Sequence, residues 1–242
     1  MKDNLFVRYL RRQSFQPSWL SLFFNPFYFI RRPLFTNIRE LAPGLKGKLI
    51  DLGCGRKPYK NLFRVSEYIG VDIETSGHDH RLSEVDVYYD GKKIPFEDNS
   101  FDSGFCSEVM EHVFNPDEIF SELHRVLKPG ARLLLTVPFC WNEHEMPFDY
   151  ARYTSVGLAH LLKKNGFSIV EMRKSGNFAR VLWQMFILYI FDLFKKLNRP
   201  GYLLSLVFIV PLNVIGFVLL PLAPKDRSMF FNTVIVVEKM SL

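Results

Sequence analysis

The sequence predicts an α/β protein built on a doubly wound parallel sheet, and three observations lead there. From residue 48 onward, short apolar runs alternate with helix-patterned segments. The first run, KLIDLG at 48–53, is nearly all apolar and ends in a glycine-rich turn, as a buried parallel strand does. The 242 residues suffice for one such domain with a full core and one extra element of modest size.

The elements follow in order. YIGVDI (68–73) and VDVYYD (85–90) read as the second and third strands, and SFDSGFCSE (100–108) as the fourth. NPDEIFSELHRVLKPG (115–130) reads as a helix. Asn115 stands at its cap, Pro116 in the first turn, Asp117 and Glu118 at the positive end of the dipole, and Lys128-Pro129-Gly130 as its stop. ARLLLTVPF (131–139) is the fifth strand, SVGLAHLLKKNG (155–166) a helix with Thr154 or Ser155 as cap, FSIVEMRK (167–174) the sixth strand and NTVIVVEK (232–239) the seventh. The expected organisation is a basic aromatic segment over 1–47, a core over 48–176, an apolar helical insertion over 177–229, and the final core strand over 230–242.

Composition narrows the class. With 48% hydrophobic and 23% charged residues, wholesale disorder is excluded. Three cysteines without a CxxC pair fit neither a disulfide scaffold nor a zinc ribbon and suit a reducing, cytoplasmic-facing compartment. Residues 1–48 hold nine bases and two acids, so the whole basic excess of the chain lies there, interleaved with Trp19, Phe23, Phe24, Phe27, Tyr28 and Phe29. Arginine beside large aromatics suits an anionic membrane surface, and a lid packed on a core is the other reading. The block FFNPFYFI is too apolar for a solvated nucleic-acid arm, and no cleavable signal is evident.

The insertion is strongly apolar in two stretches, 178–194 and 203–223, and the second has no charge. If the strands on either side share a sheet, any bilayer crossings must be even in number. Only Val181–Phe191 is uncharged in the first stretch, too short to cross, and Pro211 interrupts the second. A helical hairpin lying in or dipping into one leaflet is therefore expected, held by Lys195, Lys196, Arg199, Lys225 and Arg227, with a helical pair that covers the sheet or makes a homodimer as the rival.

The chemistry begins with DLGCGRKP at 51–58. Gly53 and Gly55 let the backbone turn and approach a ligand, and Asp72, at the end of the second strand, can accept bonds from both hydroxyls of a ribose. Pro58 stands where a dinucleotide fingerprint wants its third glycine. Asp51 would repel a pyrophosphate but can pair with a cationic amino-acid group, which disfavours a nicotinamide dehydrogenase. At this point the sequence resembles the class I S-adenosylmethionine-dependent methyltransferases of the type 11 kind. The motifs are IDLGCG, GVDIE, DGKKIPFEDNSFD, EVMEHV and HRVLKPGARLLLTVPF, over about residues 45–176 and the final strand. The resemblance implies a Rossmann-like seven-stranded sheet whose last strand is antiparallel. It implies S-adenosyl-L-methionine as cofactor, held by Asp51, Gly53, Cys54, Gly55, Asp72, Ile73, Asp90, Gly91 and Ser107, with Asp72 on the ribose and Asp90 on the adenine amino group. The departure is RKPYK, where many members carry a further glycine, so Arg56 or Lys57 is a candidate for the cofactor carboxylate.

Glu108, Glu111 and His112 fall where an acceptor should meet the methyl group. Their E-x-x-E-H spacing on one helical turn can converge on Mg²⁺ or another divalent ion, with His144 completing the set. That spacing is similar to the metal site of small-RNA 2′-O-methyltransferases and ubiquinone-pathway O-methyltransferases. In the alternative, Glu111 caps and His112 packs or, like His144, acts as a general base, with Glu108 a further catalytic candidate. His78 and His80 read as solvated, and His124 and His160 as packing or surface residues. Arg152 can meet an acidic group, and Tyr150 and Tyr153 can stack on a ring. The expected activity is O-methylation of a lipid-linked or otherwise hydrophobic acceptor (a glycolipid precursor, quinone or prenylated phenol) at the cytoplasmic face of a membrane. The alternatives are a soluble sugar or small-molecule methyltransferase and a non-catalytic membrane adaptor.

Overall fold

The computed structural model describes residues 5–74, 83–195 and 197–240, so His78 and His80 lie outside the described residues, as does Lys196. The chain divides into two compact units, one of residues 37–174 and 232–242, the other of residues 1–36 and 175–231.

The first unit is built on a seven-stranded sheet. Its strands are β1 (Lys48–Leu52), β2 (Glu67–Ile73), β3 (Val87–Tyr89), β4 (Phe101–Ser107), β5 (Leu127–Pro138), β6 (Phe167–Lys174) and β7 (Asn232–Lys239). They lie in the order β3-β2-β1-β4-β5-β7-β6. β1 to β5 pair in parallel, and β7 runs antiparallel to both β5 and β6, as the resemblance implies. β1 is central, and Leu49, Ile50, Asp51 and Leu52 are all buried, which explains its unbroken apolar reading.

The helix α3 (Pro116–Val126) turns Ile119, Phe120, Leu123 and Val126 inward at helical spacing. It ends earlier than its punctuation predicts. Lys128, Pro129 and Gly130 belong to β5, where Leu127 pairs with Phe101 before the register shifts to Ser103↔Arg132. Sheet pairing at Leu127 thus overrides the local stop signal. Asn115 occupies the cap position without capping; its Nδ2 donates to Glu118 Oε1 at 3.2 Å. The helix α4 (Ser155–Lys164) is capped by Thr154, whose Oγ1 accepts from the backbone N–H of Gly157 at 3.0 Å.

The second unit contains α1 (Leu5–Phe15), the first nine residues of α2 (Tyr28–Leu41), and the paired helices α5 (Phe178–Lys195) and α6 (Asn198–Leu219). α6 runs through Pro211 without a break, which corrects the expected interruption. Proline removes one backbone donor and clashes with the carbonyl four residues back, and α6 accommodates both. The basic aromatic N-terminus and the apolar insertion, separate in the sequence, are parts of one unit here. Gln184 on α5 donates from Nε2 to the carbonyl of Pro26 at 2.7 Å, and its Oε1 accepts from the N–H groups of Phe29 and Ile30. Asn213 on α6 donates to the carbonyls of Leu22 and Asn25.

Removing the Thr154 side-chain cap leaves a helix donor without its partner. Thr154→Ala is expected to cost about 1 kcal/mol of folding free energy in urea unfolding, and Thr154→Ser to cost a fraction of that.

Candidate active site

The carboxyl ends of the parallel strands lie along one edge of the sheet, and most of the sequence-predicted site residues cluster there. β1 ends in Gly53, whose φ of +69° suits a residue without a side chain. A Cβ at Gly53 would overlap the side chain of Val109, so the loops after β1 and β4 meet at this glycine. Gly53 N–H donates to Val71 O at 2.8 Å, tying the loop to β2. A Cβ at Gly55 would meet nothing within 4 Å, so its backbone faces open space that a ligand can approach.

Asp72 is buried, and its two oxygens accept from the N–H groups of Gly55 at 2.8 Å and Ile73 at 2.9 Å. An ionised carboxylate has about four acceptor positions, so two remain for hydroxyl groups. Gly91 packs against Ile73, its hypothetical Cβ 3.6 Å from Ile73 Cγ2. Asp90 is exposed, and its Oδ1 closes a turn by accepting from Lys92 and Lys93 N–H, bonds that hold its carboxyl below the usual range.

Lys57 does not point outward to a carboxylate. It is buried, with φ of +48°, and its Nζ pairs with Asp86. Of the two expected candidates, Arg56 therefore stays the more available. Asp51 is also buried and accepts from the Tyr68 hydroxyl at 2.6 Å. Burial, partly offset by that bond and reinforced by Asp72, pushes the Asp51 carboxyl up to about 7. Cys54 and Cys106 are buried thiols pushed up by burial and by neighbouring acids, which suits fillers and not nucleophiles.

The loop after β4 departs from one continuous helical turn. Glu108 takes φ of +55°, and only Met110–His112 form a single tight turn. Glu108 faces β5 and β7, accepting from Thr136 Oγ1 at 2.8 Å and Asn232 Nδ2 at 2.7 Å. Because Thr136 donates to Glu108, the Ser107 hydroxyl, 2.8 Å away, donates to Thr136. Glu111, His112 and His144 do converge, with ligand atoms all within 4.8 Å of one another, and Glu108 is not in that group.

His112 Nδ1 lies 2.8 Å from the carbonyl of Phe148, which can only accept, so Nδ1 carries a proton and Nε2 is the nitrogen that accepts in a neutral ring. Nε2 stands 3.8 Å from Glu111 Oε1 and 3.6 Å from Glu145 Oε2. Glu111 is fully buried, and neither of its carboxylate oxygens has a hydrogen-bond partner. Burial and then the charge of Glu108 drive its carboxyl well above the usual range. His144 is pushed down by burial and by His112. The wall behind the cluster is pinned by Arg152, which pairs with both oxygens of Asp149 and donates to the carbonyl of Asn142. Burial opposes ionisation of Asp149, but the bonds from Arg152 and from His144 N–H win and hold it at about 2. Arg152 is thus engaged within the loop and not offered to an acidic acceptor. Tyr150 is exposed, its ring 5.4 Å from that of Phe114.

Sequence reasoning missed Glu145, Tyr68, Thr136 and Asn232. Glu145 adjoins His144 and was within reach of the same reading. Asn232 arrives from β7, distant in sequence, and carries no local signal.

Residues 50–135 match the family described as a methyltransferase domain. A sterol 24-C-methyltransferase of Gibberella zeae is 32% identical over 106 residues, 38% of this chain and 27% of that protein. Among solved structures, the cyclase SpnF superposes with a TM-score of 0.55 at 19% identity, covering 88% of this chain and 83% of that one. Haemonchus contortus phosphoethanolamine N-methyltransferase 2 in complex with S-adenosyl-L-methionine gives a TM-score of 0.51 at 18% identity, covering 99% and 61%. The chain spans between 22% and 56% of the length of the curated relatives compared. The segment that carries most of this site is thus similar to a methyltransferase domain, and these solved structures share its fold.

The raised Asp51 carboxyl gives a pH signature. Between the ordinary carboxylate range and about pH 7, the folded protein holds a proton that the unfolded chain has released, so this group's contribution to stability falls as pH rises. Asp51→Asn keeps an acceptor for Tyr68 and removes that decline. The excess of its melting temperature over wild type is expected to grow between about pH 5 and about pH 8. A constant difference would mean that Asp51 is ionised throughout.

Proposed function

We propose that this protein transfers a methyl group from S-adenosylmethionine to an oxygen of a hydrophobic, lipid-linked acceptor at the cytoplasmic face of a membrane. The observation that carries the reading is the His112 ring, held through Nδ1 by the Phe148 carbonyl, beside the buried and unpartnered Glu111 carboxyl on the loop that touches Gly53. S-adenosylmethionine, when bound, supplies an electrophilic methyl group on a sulfonium. The open backbone at Gly55 and the spare acceptor positions of Asp72 suit its ribose. Asp51, once ionised, favours its ammonium.

A hydroxyl acceptor must lose its proton as the oxygen–carbon bond forms and the carbon–sulfur bond breaks. His112 Nε2 is placed to take that proton, and the Phe148 carbonyl, by holding Nδ1–H, fixes the ring and its tautomer. The Glu111 carboxylate, where it ionises, favours the imidazolium. An amine acceptor with a free lone pair would need no such base. The same cluster fits a divalent ion, with Glu111, His112 and His144 as ligands and Glu145 in reach of His112, because an orphaned buried carboxylate gains most from a cation. Such an ion would lower the pKa of the acceptor hydroxyl. Support for a lipophilic acceptor comes from the sterol methyltransferase relative and from the apolar unit joined to the core. The free cysteines favour the cytoplasmic side.

The purified full chain, incubated with methyl-labelled cofactor and a total membrane lipid extract, is expected to place label on a lipid oxygen, read by mass spectrometry. Asp72→Ala should abolish cofactor binding in calorimetry. His112→Ala should leave cofactor affinity near wild type while slowing transfer by about 10²–10⁴-fold. Loss of activity on chelation, restored by Mg²⁺ or Mn²⁺, supports the ion; indifference to chelation assigns the step to His112 alone. Failure of the wild type to bind the cofactor overturns the enzyme reading and leaves an adaptor.

A further inference from the structure

The helix α6 is built inside out for a protein in water. Its buried stripe is mostly small or polar, with Gly201, Ser205, Asn213 and Gly216 around the single aliphatic Ile209, whereas its exposed side carries Leu203, Val207, Val214 and Val218. Over Pro200–Leu222 the mean hydropathy reaches 2.7, yet only 28% of that window is buried. The two glycines are needed for close packing, since a Cβ at Gly216 would strike Trp183 and Phe29, and one at Gly201 the backbone of Phe194. Small residues and amides at the contact, with large aliphatic residues facing out, is the pattern of helices packed in lipid. A water-facing helix shows the opposite.

Length alone would let α6 cross a bilayer, at about 33 Å for 22 residues against a hydrocarbon core of about 30 Å. Topology forbids a single crossing. Lys174 and Thr233, where the chain leaves and re-enters the sheet, are register partners, so both ends of the insertion stay on one side. Nor is α5 a second span, because Arg180 and Asp192 lie within it and Gln184 spends its amide on residues 26–30. The N-terminal segment is fastened to the same helices by Asn213 and by the Tyr202 hydroxyl, which donates to Phe24 O. Exposed bases accompany the apolar face in this unit: Arg8 on α1, and Lys225 and Arg227 after α6.

We propose that residues 19–30 and the α5–α6 hairpin form one composite anchor. It lies in a single leaflet of an anionic membrane, with Gln184 and Asn213 fastening the N-terminal segment so that both parts insert together. The proposal rests on the membrane reading above and gives it a structural basis: neither segment is an autonomous anchor. The outward face of α6 meets hydrocarbon, the bases meet lipid phosphate, and the amides of Gln184 and Asn213 never meet lipid because both are buried against backbone groups of residues 22–30.

The test is flotation of the full chain with vesicles of phosphatidylcholine alone or with phosphatidylglycerol. Wild type is expected to float with both, more strongly with the anionic mixture. Val207→Asp with Val218→Asp should lower flotation at least about tenfold while leaving cofactor binding unchanged. Gln184→Ala, which frees the N-terminal segment, should reduce the preference for phosphatidylglycerol more than Val156→Ala, an exposed change in the other unit. Wild type that stays with the soluble fraction as a stable dimer overturns the proposal, as does a doubly charged variant that floats like wild type. Flotation by a protein that binds no cofactor supports the anchor and sinks only the methyltransferase reading.

Discussion

The meeting of Gly53 and Val109 is the constraint on which the site depends. β1 and β4 are parallel neighbours, so their carboxyl ends emerge side by side, and the loops that follow compete for one space. A glycine at the first position after β1 settles that competition, because any Cβ there would push the Val109 loop away. Two consequences follow from this single contact. The loop after β1 bends toward β2, where Asp72 receives the N–H of Gly55. The loop after β4, which carries Glu111 and His112, is held against the glycine turn through Val109.

The core sheet was legible in the sequence because parallel strands are buried on both faces and leave near-continuous apolar runs, as KLIDL and LLLTV do. Errors arose where a local signal competed with tertiary pairing. Lys128-Pro129-Gly130 carries every mark of a helix stop, yet the sheet claims Leu127 and the chain turns into β5 without a separate loop. Pro211 carries the mark of a break, yet α6 continues through it. At the site, spacing found Glu111, His112 and His144 but assumed a helical turn beginning at Glu108. The left-handed backbone at Glu108 sends its carboxylate to Thr136 and Asn232 instead. Lys57 reads as a candidate for the cofactor carboxylate because nothing local announces Asp86, nearly thirty residues on, as the partner of its buried side chain.

The two acids of the E-x-x-E-H segment show how environment divides like residues between unlike tasks. Glu108 is satisfied by two donors from β5 and β7, and its charge is accommodated there. Glu111, three residues later, has no donor at all and is more deeply buried. A carboxylate in that position persists in one of two ways: neutral, holding a proton, or ionised against a cation. The charge of Glu108 favours the neutral form when nothing else is present. The imidazolium of His112 and a divalent ion would each reverse that preference, because either places positive charge within a few ångströms of the orphaned oxygens. Proton transfer to His112 and ion binding are therefore alternative solutions to one electrostatic problem, the unpaired Glu111 carboxyl. The geometry that would let His112 take a proton also places Glu111, once ionised, to stabilise the imidazolium that results.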